Sequence, residues 1–226
     1  MKRRTRWSTC GLCGEFRITT REHVVPRSLY PASKSNSKFQ RITIAACAEC
    51  NNGTADDDAH FRTVLMLAGE QNDAVNQLWT GPVRRALKEV DGRRRALDVF
   101  KLMRPAPDAG PNRYRIFPAD DARVLRIVRK IVRGLSRHHE LAYPVSDGRV
   151  FADVLRQPMP DEMVAEMKQH AAESDVLEYG FLPIADTPGL ISAWLLRFYQ
   201  RTSFVSLIFA DEEARQTLYK RGGSEG

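Results

Sequence analysis

Cys10-Gly11-Leu12-Cys13 and, 33 residues further on, Cys47-Ala48-Glu49-Cys50-Asn51-Asn52 together use every cysteine in the chain. A Cys-x-x-Cys turn brings two thiolates to one metal ion, and two such turns complete the closed all-cysteine tetrahedron of a structural zinc site. A thioredoxin-like redox motif needs one pair rather than two, and disulfides need an oxidising compartment. The spacing therefore predicts Zn2+ on Cys10, Cys13, Cys47 and Cys50. With all four positions filled by sulfur, such an ion holds the fold and activates no water.

Working outward from the knuckles, Phe16-Arg17-Ile18-Thr19 and Glu22-His23-Val24-Val25 read as two short strands of a zinc-clasped hairpin. Pro31 to Lys38, rich in Ser, Lys and Asn, reads as a loop. Past the second knuckle, Thr54 and Asp57 form an N-terminal capping pair for a helix reaching Ala68, with Phe61, Val64, Leu65 and Ala68 on its buried face. Adjacent strand residues point to opposite faces, so Glu22 and His23 can share a site only where the strand ends or twists, and Pro26 is placed to end it.

In order and chemistry, Cys10-x-x-Cys13, Glu22-His23-Val24-Val25-Pro26 and Cys47-x-x-Cys50-Asn51-Asn52 resemble the zinc-clasped branch of the HNH (ββα-metal) endonucleases. The resemblance covers roughly residues 10 to 65. It implies metal-dependent hydrolysis of a phosphodiester in DNA, leaving 5′-phosphate and 3′-hydroxyl ends and nicking one strand per site. Such hydrolysis needs an activated water, charge stabilisation at phosphorus and help for the departing oxygen. A neutral imidazole can take the water's proton near pH 7, which makes His23 the candidate general base. The resemblance assigns a catalytic divalent ion, Mg2+ or Mn2+, to Glu22 and Asn51, with Asn52 as the local competitor for the second place. Two features depart from the family. Arg41 to Ala46 supplies no middle Asn, a role left to Asn36 or a backbone group, and Gly53-Thr54-Ala55-Asp56 replaces the usual Lys or His.

Charge points to the same partner. The 226 residues carry a net +7, distributed as +7 over residues 1–50, −4 over 51–80, +9 over 81–140 and −5 over 141–226. Concentrated Lys and Arg suit a phosphate backbone, whose condensed counterions they release. Over Asp121 to Arg137, Val124, Val128, Ile131, Val132 and Leu135 recur at helical spacing, while Arg126, Lys130, Arg133 and Arg137 fall on another face. That face reads either as a contact to DNA or as a solvated surface. DNA is the expected partner. RNA stays open because nothing here reads a 2′-hydroxyl. His60 reads as a surface or helix-packing residue. His138 and His139 close the basic helix, and His170 falls in a polar one.

The remaining chain reads as mainly helical: Glu70 to Leu78, Pro82 to Val90, Arg94 to Leu102, Asp120 to His138, Ser146 to Leu155 and Asp161 to Glu173. Arg104 to Pro111 is a loop by composition. Val176 to Ile184, Ile191 to Tyr199 and Ser203 to Phe209 read as strands, the last two as a hairpin whose apolar face carries Trp194, Leu196, Phe198, Val205, Leu207 and Phe209. Arg221 to Gly226 reads as a disordered end. The expected architecture is α+β: a zinc-bound ββα-metal module over residues 1–69, then a mainly helical region with a C-terminal β-hairpin or small sheet over 70–226, supplying basic surface.

Arg197, Gln200 and Arg201 interrupt the most apolar stretch, so no membrane span is expected, and no apolar run follows the basic start as a secretory signal would. The reading is cytoplasmic. A zinc-stabilised nucleic-acid-binding protein without catalysis is the alternative function. Partner proteins of a restriction, defence or mobile-element system fit the resemblance equally, and oligomeric state is not encoded in any motif.

Overall fold

The computed structural model describes residues 5–32, 41–68, 72–105, 114–116, 121–173 and 175–222. The fold is α+β, as expected. A three-stranded antiparallel sheet, order β1-β2-β3, is built from β1 (Arg6–Thr9), β2 (Phe16–His23) and β3 (Thr43–Cys47). The two short strands expected around Thr19 and Glu22 are one continuous strand, β2, sustained by the β-branched Ile18, Thr19 and Thr20. It ends at His23, and Val24 and Val25 turn away into the main core. The segment 33–40, with Asn36 and most of the expected loop, lies outside the described residues.

The second knuckle opens α1 (Ala48–Asn52), followed by α2 (Ala55–Ala68). Thr54 precedes α2 as anticipated, and its carbonyl accepts from the Asp58 amide at 2.8 Å. Its side chain is used otherwise, since the hydroxyl accepts from Lys130. Asp57 likewise turns to Arg123 and Arg126. Phe61, Val64 and Leu65 are buried as predicted, whereas the side chains of Asn52 and Ala68 lie outside the description.

Next come α3 (Asp73–Leu78), a π turn over Trp79–Val83, the short α4 (Arg84–Ala86) and α5 (Val90–Phe100). The helix expected from Pro82 therefore starts as an irregular turn around that proline, which has no amide to donate. Arg104 and Pro105 belong to β4 (Met103–Pro105), paired with β5 (Tyr114–Ile116). The rest of the expected loop, 106–113, is outside the described residues. Helix α6 (Ala122–His138) begins on Asp121, whose carboxylate accepts from the amides of Arg123 and Val124.

The C-terminal sheet has five antiparallel strands in the order β6-β10-β9-β8-β7: β6 (Val150–Val154), β7 (Lys168–Ala171), β8 (Leu177–Pro183), β9 (Leu190–Phe198) and β10 (Thr202–Phe209). Two expected helices are corrected here. Ser146 to Leu155 holds a 3-10 turn and then β6, and only Asp161–Glu166, helix α7, of the second is helical before β7. His170 therefore sits on a strand. The β9–β10 hairpin forms, but Phe204, Ser206 and Ile208 oppose Leu196, Trp194 and Ser192, so they, not Val205 and Leu207, share the buried face. Phe209 rejoins that side because the register shifts after Ile208. Helix α8 (Glu212–Gly222) was not foreseen, and it takes in the first two residues of the expected disordered end.

One large core joins both halves of the chain: Val24, Leu29, Phe61, Ile131, Phe198 and Phe204 all belong to it. Phe61 of α2 meets Phe198 of β9 edge to face at 5.2 Å. A Cβ on Gly134 would lie 2.8 Å from Val24, so only glycine lets α6 pass this close to the end of β2. A second, small core holds Cys10, Leu12, Ala46 and Cys47. No helix among the described residues is long and apolar enough to cross a membrane.

Candidate metal centre and the end of strand β2

The four cysteines are assembled as the spacing predicted. Their sulfurs lie within 4.8 Å of one another, and Cys13 and Cys47 Sγ are 3.9 Å apart. Sulfurs about 2.3 Å from one tetrahedral zinc would be about 3.8 Å apart, so the cluster can hold a metal ion such as zinc. Burial raises the Cys10 thiol, but the amides of Cys13, Cys47 and Leu12 outweigh it and bring the group down to about 7. Cys13 and Cys50 are raised, chiefly by burial. A dication among them would reverse that balance. Among the described residues no other group of three or more His, Cys, Asp or Glu side chains converges in this way.

The sheet register decides how the remaining candidates are disposed. Pairing of Trp7 with Ile18, Thr20 with Ala46 and Glu22 with Ile44 puts these residues on one face, whose Thr20 and Glu22 end lies against α1 and α6. On that face the Asn51 amide donates to Thr20 Oγ1 at 2.8 Å. Glu22 Oε1 lies 2.6 Å from Lys130 Nζ, with side chains only 12 and 8 % exposed, and the same ammonium donates to Thr54 at 2.7 Å. Asp58 completes the cluster. Burial pushes its carboxyl up to about 6, opposed by Lys130 and reinforced by Glu22, and its Oδ1 is buried with no hydrogen-bond partner among the described residues.

His23 takes the opposite face with Arg21 two residues before it and Thr43 across from it. Its Nδ1 is buried without a partner among the described residues. Burial, and then the guanidiniums of Arg27, Arg41 and Arg21, hold its pKa down to about 4, so the imidazole is neutral at pH 7. The alternation rule thus holds up to the last residue of β2, and Glu22 and His23 are not brought to one point. A hard divalent ion finds a poor donor set in these residues. Glu22 is already neutralised by Lys130, and Asn51 is tied to Thr20 through its nitrogen. The Asn52 side chain is outside the described residues.

The basic face expected on α6 is engaged within the protein. Arg126 donates to Asp57 at 2.7 Å, Arg133 to the carbonyls of Val145 and Leu12 at 2.7 and 3.1 Å, and Arg137 lies 4.3 Å over the Tyr143 ring. Lys130 is buried on Glu22. Exposed Arg6, Arg21 and Arg27 carry no ion pair among the described residues, and Arg41 lies 4.2 Å over Tyr30. Sequence reading missed this second set and Asp58. Arg21 could have been found by its two-residue offset from His23, but nothing local marks Asp58. His60, expected at the surface or in helix packing, is buried, with its Nε2 hydrogen-bonded to an Asp121 carboxylate oxygen.

No family model, no curated protein and no solved structure matches the chain.

Proposed function

We propose that the chain is a zinc-stabilised endonuclease of the HNH type acting on DNA, with His23 as general base. The observation that carries the reading is the four-cysteine cluster clasping a β2–β3–α1–α2 unit whose central strand ends on Glu22-His23. Zinc in that cluster would fix the strand end, and the neutral imidazole would take the proton of an attacking water. A pKa near 4 makes a weak base. A phosphodiester beside Arg21, Arg27 and Arg41 would offset the guanidiniums and raise the imidazole towards its usual value. The phosphate surface in this reading is therefore the His23 face of the sheet, in place of Arg126, Lys130, Arg133 and Arg137. Mg2+ or Mn2+ enters as an assay variable, and no step is written through it.

The Glu22–Lys130 pair favours a second reading, a nucleic-acid-binding protein without catalysis, because it removes the carboxylate that a catalytic ion would use. A supercoiled-plasmid assay with Mg2+, Mn2+ or EDTA separates the two, using wild type and His23→Ala of equal zinc content. Nicking by wild type and none by the variant supports the nuclease. If neither cuts and both shift DNA on a gel with the same salt dependence, the second reading stands.

A further inference from the structure

Trp7, Phe16 and Ile18 are 63, 66 and 52 % exposed and belong to neither core. They form one patch. The register sets Trp7 opposite Ile18 and Phe16 opposite Thr9, and the Trp7 and Phe16 rings stack with centroids 5.8 Å apart and planes 27° from parallel. β1 is an edge strand, so among the described residues the patch is open along one side as well as above. It continues the face that carries Thr20 and Glu22. At a rise of about 3.3 Å per residue, Ile18 lies about 13 Å along β2 from Glu22.

Stacked, solvated aromatics call for an occupant, and charge selects among the candidates. Residues 1–50 carry +7, with Arg6 next to Trp7 in the edge strand, its register with Thr19 putting it on the other face, and Lys2, Arg3 and Arg4 just before it in the sequence. Two copies of this chain meeting here would bring two cationic rims together. A polyanion with flat apolar faces fits both features, and base faces are open only where a strand is unpaired.

We infer that the Trp7–Phe16 pair is a stacking platform for bases of single-stranded DNA, with Arg6 meeting the phosphates round the edge of β1. This rests on the proposed function for the nature of the partner but not for catalysis. The platform lies on the Glu22 face and His23 on the other, so what it selects is the class of nucleic acid bound, single-stranded or locally opened DNA.

The test is fluorescence anisotropy with a labelled dT20 and a 20-base-pair duplex at one fixed salt concentration, on wild type, Trp7→Ala, Trp7→Ala/Phe16→Ala and Trp7→Tyr. Zinc content and thermal unfolding are checked for each. The expected result is that wild type prefers dT20, that Trp7→Ala weakens dT20 about tenfold with duplex binding unchanged, and that Trp7→Tyr restores most of the loss. Addition of dT20 should also quench tryptophan emission in wild type and not in Trp7→Ala. Equal dT20 affinity in wild type and the double variant overturns the inference. So does wild type that binds no dT20 and sediments as a dimer which the double variant lacks, because the patch is then a contact between copies. His23-dependent plasmid nicking with no Trp7 effect would sink the platform alone. Trp7-dependent dT20 binding with no nicking would sink the nuclease alone.

Discussion

Helix α6 and the three-stranded sheet are both rich in basic residues, but their cations are in opposite states. On α6, Arg126, Lys130 and Arg133 each meet an acidic side chain or a carbonyl, and Arg137 covers an aromatic ring. On the sheet and just past it, exposed Arg21 and Arg27 stand beside a neutral histidine. A helical row of cations is therefore not by itself a polyanion site. What matters is whether the fold delivers carboxylates to it, and here Glu22, Asp57 and Asp147 arrive from elsewhere in the chain.

The largest test of this contrast is the metal. On the proposed function, taking the metal from the four-cysteine cluster with a chelator, or Cys47→Ser, should unfold β1–β3 and abolish DNA binding while much of the helical circular dichroism of α6 persists. Lys130→Met should follow in size. It takes the ammonium away from the buried Glu22 carboxylate, with an expected loss of about 3–5 kcal/mol in urea unfolding, most of it recovered in Glu22→Leu/Lys130→Met. An unchanged midpoint for the single variant would place Lys130 with the outward cations after all.

A smaller effect distinguishes the two sets directly. Arg21→Gln should lower the slope of log affinity against log salt by about one at unchanged melting temperature. Arg126→Gln, whose side chain is half exposed, should cost under about 1 kcal/mol and leave the slope alone. Reversal of these two results would return the interface to α6.

The smallest expected effect lies just past α6. Burial, then His170, His138 and Lys168, hold His139 down to about 4 from an ordinary 6.5. The unfolded chain takes up the proton first, so its contribution is complete above pH 6.5 and is lost as pH falls towards 4. Melting temperatures between pH 7 and 4.5 should fall more steeply for wild type than for His139→Phe.

Much of this was legible in the sequence because it is local. The knuckles, helix α6 with its apolar stripe, and the β9–β10 hairpin follow from spacing and periodicity over a few turns. The misread elements answer to distant partners. Val150–Val154 and Lys168–Ala171 become strands because β10 and β8 offer edges to pair with, which outweighs helix-like local composition. In β10 both alternating sets are apolar, Phe204 and Ile208 against Val205 and Leu207, so pattern alone leaves the register undetermined. Lys130 was placed on the right helical face, but its partner Glu22 lies over a hundred residues away, beyond any local signal.

Deep in the core, the Tyr199 hydroxyl donates to the Leu29 carbonyl at 2.8 Å, across 170 residues of sequence. On the ribosome this means that the segment around Leu29 emerges long before its partner is made. The four cysteines can come together early, but Leu29 and Phe61 lack their partners Tyr199, Phe198 and Phe204 until β9 and β10 have been synthesised. Completion of the N-terminal fold thus waits for the synthesis of β9 and β10.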